Sequence, residues 1–132
     1  MHTLRDNYKA ISLLRPQSIT ATTTGTGIDV EQYEDDALAV LDLGSQAGTT
    51  ETLDVTIETS TDGTNYSTAL TFAQVTGSNG DDKIAAGRVS LAGIKKVRAV
   101  ATKSGSGASL IAVNLLARAR IGGATVNSTT PA

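Results

Sequence analysis

At 132 residues the chain has the length of one domain, able to bury roughly two-thirds of the surface that its unfolded form exposes. It has no cysteine and a single histidine, His2, which excludes a disulfide framework, a cysteine zinc site and any Ser-His-Asp or histidine-cluster centre within the body of the domain. Twenty threonines and 13 glycines against two prolines favour short strands and turns, and with one phenylalanine and no tryptophan the core must be aliphatic around Phe72.

In chain order, Leu4, Tyr8, Ile11 and Leu13 or Leu14 fall at helical spacing, while Ala10 to Leu14 also reads as a strand. Pro16 restricts Arg15 to an extended conformation, so residues 1–16 read as a short N-terminal arm and 17–121 as the body. The arm either docks on a partner or packs on its own domain as an ordinary first element. Ser18 to Thr24 is a β-branched strand ended by Gly25-Thr26-Gly27. Ile28 and Val30 begin a short extended piece, and Glu31 to Asp36 is an acidic loop or helical turn with Tyr33 as a packed anchor. Ala37 to Leu43 is apolar except for Asp42, the pattern of a central strand covered on both faces. Gly44 to Thr50 is a turn-rich connection.

The clearest element follows. Leu53, Val55, Ile57 and Thr59 alternate with Asp54, Thr56, Glu58 and Ser60, a period of two that sends one set to the core. Ser60 to Asn65 supplies turn residues, and the partner strand begins at Tyr66. Val75 is out of phase with Tyr66, Thr68, Leu70 and Phe72, which predicts a bulge near Ala73 and Gln74. Gly77 to Asp82 reads as a mobile loop and Ile84 to Leu91 as a weak strand interrupted by Gly87. Val97, Ala99 and Ala101 alternate with Arg98, Val100 and Thr102, and Leu110 to Ala117 is apolar on both faces apart from Asn114. Residues 122–132 read as a flexible polar tail. The expectation is one all-β sandwich or jelly-roll-like domain of about seven or eight antiparallel strands.

Net charge is −2, but it is unevenly placed: residues 16–82 hold twelve acids and no base, and residues 83–132 hold eight bases and no acid. Either the two halves neutralise each other across neighbouring strands, or an acidic face meets a basic face on another molecule. The bases singled out for partner contact are Arg5, Lys9, Arg15, Lys95, Lys96, Arg98, Arg118 and Arg120. They are not interleaved with aromatics, so nucleic acid is not expected as a partner. No apolar run reaches the ~20 residues of a membrane span, and Asp6 and Lys9 interrupt anything like a signal peptide. Asp35-Asp36 and Asn79-Gly80-Asp81-Asp82 carry oxygen ligands, but neither has the alternating spacing of a calcium loop. No catalytic residue, metal or cofactor is expected.

Two resemblances bear on function. Ser60-Thr61-Asp62-Gly63-Thr64-Asn65-Tyr66 resembles the S-x-D-G-x-x-aromatic turn of discoidin-like and carbohydrate-binding β-sandwiches, which implies a sugar-binding module as one alternative. Over about the first 80 residues the order of segments resembles the capsid decoration or cement proteins of tailed bacteriophages. The segments are Leu4-Arg5-Asp6-Asn7, Gly25 to Val30, an apolar strand ending at Gly44, Thr52 to Gly63 and Phe72 to Gly77. That resemblance implies a non-enzymatic structural virion protein, made in the bacterial host cytoplasm, that binds the major capsid protein on the outer surface of the shell. It also implies a homo-oligomer, with a trimer favoured. A phage tail or head-tail connector component is the third alternative.

Overall fold

The computed structural model describes residues 8–119. Its strands are β1 (Tyr8–Ile19), β2 (Thr23–Thr24), β3 (Ile28–Asp29), β4 (Tyr33–Gln46), β5 (Thr52–Ser60), β6 (Ser67–Thr71), β7 (Val75–Thr76), β8 (Ile84–Ser90), β9 (Lys96–Lys103) and β10 (Ser109–Ala119). The alternation expected in Leu53 to Ser60 is realised in β5, where Leu53, Val55, Ile57 and Thr59 are buried. Its neighbour β9 buries Val97, Ala99 and Ala101 in the same way.

All pairings are antiparallel. One sheet runs β1-β10-β4-β8; the other runs β2-β9-β5-β6, with β3 also on β9 and β7 also on β5. With β2 and β3 taken as one interrupted strand, and β6 and β7 as another, each sheet has four strands. Successive strands cross between the sheets six times, at β1 to β2, β3 to β4, β4 to β5, β7 to β8, β8 to β9 and β9 to β10. That is the double-sheet jelly roll. The core fills the space between them, with Leu41, Leu43, Val113 and Leu115 from the first sheet facing Leu53, Val55, Ile57 and Val97 from the second.

Several expectations are corrected. The N-terminal arm is, from Tyr8 onward, an edge strand of the first sheet: β1 pairs with β10 along its length, and Leu13 and Leu14 are buried in the core. Pro16 lies inside β1, beside register shifts at Ser12/Leu14 and Leu14/Gln17, positions where an edge strand tolerates a residue without an N–H. The N-terminal spacing therefore resolves as strand, not helix. Tyr33 to Asp36 open β4 rather than forming a loop.

The bulge falls at Ala69, where Ile57 pairs with Leu70 and Glu58 with Thr68, while Phe72, Ala73 and Gln74 separate β6 from β7. Gly77 to Asp82 is an ordered connection built on a 3-10 turn, Gly77–Gly80. Asp81 Oδ1 accepts the Gln46 N–H at 2.7 Å, and the Asp82 N–H donates to the Gly44 carbonyl at 3.1 Å. Residues 1–7 and the tail expected at 122–132 lie outside the described residues.

Candidate interaction surface

The sandwich offers two outer sheet faces, and they differ in chemistry. On the β9-β5 sheet the outward residues are polar apart from Val100, and several are engaged with one another. Arg98 Nε donates to Glu58 Oε1 at 2.8 Å, and its guanidinium lies 3.9 Å from the Tyr66 ring centroid, a cation-π geometry. The Tyr66 hydroxyl rests where a Cβ would stand at Gly27, so only glycine fits beneath it. Gln74 Nε2 donates to both Asp54 carboxylate oxygens at 3.0 Å.

At one end of this sheet the Ser60–Asn65 turn is closed by a single carboxylate. Asp62 Oδ1 accepts the Thr64 and Asn65 N–H groups, each at 2.8 Å, and the Ser60 hydroxyl at 3.0 Å; Oδ2 accepts Asn65 Nδ2 at 2.8 Å. These bonds, the Asn65 N–H first, hold the Asp62 carboxyl well below the usual carboxylate range. Gly63 follows at φ +84°, a left-handed conformation that glycine adopts without penalty. The S-x-D-G-x-x-aromatic segment thus spends its polar groups on its own turn. Tyr66, the aromatic that closes it, is capped by Arg98.

The outward residues of the β1-β10-β4-β8 sheet are mostly apolar. Strict alternation and the pairing register place Ala10, Leu116, Leu38 and Arg88 in one row across the four strands. Ser12, Asn114, Val40 and Ala86 form the next row, and Ala112, Asp42 and Ile84 the one after. Leu38 and Leu116 are exposed, and Ile84 is 70% exposed. Ala37 to Leu43 is therefore covered by its own domain on one face only, which corrects the expectation of a strand buried on both. At the Tyr8 end of this face, Arg88 pairs with Asp36 at 3.0 Å and Arg118 Nε stands 3.6 Å from Glu34 Oε1.

The bases singled out from the sequence do not form one patch. Lys95, Lys96 and Arg98 gather around the Asp62-Gly63 turn of the second sheet; Lys9, Arg15 and Arg118 belong to β1 and β10 of the first. Arg5 and Arg120 lie outside the described residues. The ion pairs Arg98–Glu58, Arg88–Asp36, Arg118–Glu34 and Lys103–Glu51 each join the acidic part of the chain to the basic part, so the two halves do neutralise each other across neighbouring strands. The apolar face is marked by hydrophobicity and not by charge. The signal for it was present in the two-sided apolarity of Ala37 to Leu43 and Leu110 to Ala117.

No protein-family model matches the chain, and no curated protein matches it. Solved structures do share its fold. The SPBc2 prophage-derived protein YomS superposes with a TM-score of 0.53 at 8% identity, over 84% of this chain and 92% of that one. The PBSX exported protein XepA superposes with a TM-score of 0.61 at 16% identity, over 100% of this chain and 44% of that one. This chain therefore spans less than half the length of XepA, and it shares its sandwich fold with proteins of phage origin.

Proposed function

We propose that this chain is a structural virion protein of a bacteriophage that binds the major capsid protein on the outer surface of the shell and acts there as a decoration, or cement, protein. The observation that carries the reading is the fold shared with phage-derived proteins over 84% and 100% of this chain. The order of sequence segments resembling the decoration proteins points the same way. A compact sandwich in which four bases are tied to acids across the fold suits a rigid clamp that acts by contact, without catalysis. Many weak contacts on one shell sum to strong attachment.

The test is the copy number of this protein in purified particles of a phage that encodes it, relative to the most abundant shell protein. A ratio near one, or near one-third, is the expected result. A handful of copies per particle would assign it to the tail or head-tail connector, and absence from the particle would overturn the virion reading.

A further inference from the structure

Among the described residues, the large apolar side chains left exposed are Tyr8, Leu38, Ile84, Leu110 and Leu116. All five point outward from the β1-β10-β4-β8 sheet. Antiparallel partners share a side, and Tyr8 pairs with Arg118, Leu116 with Leu38, and Ile84 with Asp42. Leu110 lies on the same side as Leu116 by the period of two. The opposite outer face, by contrast, carries Asp54, Glu58, Arg98 and Thr102. Scattered exposed apolar residues are ordinary, whereas gathering every large one on a single sheet face marks an interaction surface.

We propose that this face pairs with the same face of a second copy, sheet on sheet, about a two-fold axis running along the strands between β4 and β10. That axis exchanges the two central strands. Leu116 of each copy then meets Leu38 of the other, and four leucines close over the axis. The same exchange sets Arg118 of one copy against the stretch of the other that holds Glu34 and Asp36, so the charged end of the face is complementary to itself. Self-complementarity of this kind is what an isologous contact requires. Four strands about 4.8 Å apart and some nine residues long present roughly 600 Å², so two copies bury about 1,200 Å² in total, within the range of specific interfaces. Stacked sheets pack about 10 Å apart with strands within about 30° of each other, a geometry that twisted four-stranded sheets adopt readily. A contact of this symmetry closes at two copies, in place of the trimer that the resemblance to decoration proteins implies.

Sedimentation velocity on the full chain, from micromolar to several hundred micromolar at physiological salt, tests the proposal independently of any virion. The expected result is a reversible dimer. Leu116→Lys should raise the dimer dissociation constant by about a hundredfold, as for a central apolar contact, with an unchanged circular dichroism spectrum. Should Leu116→Lys unfold, Leu38→Lys reads the same contact. Arg118→Glu should weaken the dimer, and combining it with Glu34→Arg should restore it. Thr102→Lys, on the opposite face, should change nothing. A wild-type chain that stays monomeric throughout, that associates as a trimer, or whose association survives both leucine substitutions would overturn the proposal.

Discussion

Lys103 Nζ sits 3.0 Å from Glu51 Oε1, with the lysine side chain only 1% exposed, and the same oxygen accepts the Gly107 N–H at 2.9 Å. One carboxylate therefore joins the end of β9, the entry to β5 and the loop that leads into β10. Removing one partner of this part-buried pair leaves the other charge poorly solvated, at a cost of about 1–3 kcal/mol. Glu51→Ala should lower the urea midpoint accordingly. Combining Glu51→Gln with Lys103→Met, which removes both charges, should recover much of that loss in the same measurement.

The hairpin turn makes two linked predictions. Gly63 at φ +84° cannot be replaced by a β-branched residue without backbone strain of about 1–3 kcal/mol, so Gly63→Val should lower the melting temperature. If its stability were unchanged and a sugar-binding activity were lost instead, the hairpin would be a binding site. Folding lowers the Asp62 carboxyl, so its contribution is complete above the ordinary carboxylate value near 3.9 and is lost as pH falls through the lower folded-state value. The difference in melting temperature between the wild-type protein and Asp62→Ala should hold from pH 7 to about 5 and shrink below about 4.

Arg98 is better described as a structural residue than as a free partner-binding base. Its guanidinium is shared between Glu58 and the Tyr66 ring, and both carboxylate and guanidinium are partly screened by solvent. Arg98→Ala should cost about 1–2 kcal/mol in chemical denaturation. Arg98→Lys should recover only part of it, because lysine cannot reproduce the planar stack. A neutral effect on stability would return Arg98 to the set of candidate contact residues.

β1 offers the sharpest reversal. Read as an arm, residues 1–15 would be dispensable for folding; read as a strand that contributes Leu13 and Leu14 to the core, they are not. Deleting residues 1–15 should leave the chain without a cooperative thermal transition, while Leu14→Ala should cost about 2–5 kcal/mol. Retention of a cooperative melt after the deletion would show that β1 is an accessory strand.

What could be read from the sequence, and what could not, follows one physical line. Strands with a water-facing side declare themselves by alternation, and β5 and β9 were legible for that reason. A strand apolar on both sides is ambiguous, because hydrophobicity reports that a face is to be covered and not by which molecule. β4 and β10 are therefore legible as strands, but the cover expected on both faces of β4 is supplied by its own domain on one face only. The edge strand β1 was obscured by two bulges and Pro16, which break the period of two. Pairing of the two charged halves was foreseeable as a total, but the choice of Arg98 for Glu58 or Lys103 for Glu51 depends on a register that no local pattern encodes.

Pro16 and the register shifts beside it bear on how copies of this chain can meet. An uninterrupted twelve-residue edge would offer every newly made copy a template for adding a further strand, and growth by that route has no natural end. A missing N–H and two dislocations spoil the template. The proposed pairing uses the flat side of the sheet instead, where contacts between copies stop at a definite number and do not propagate as fibres.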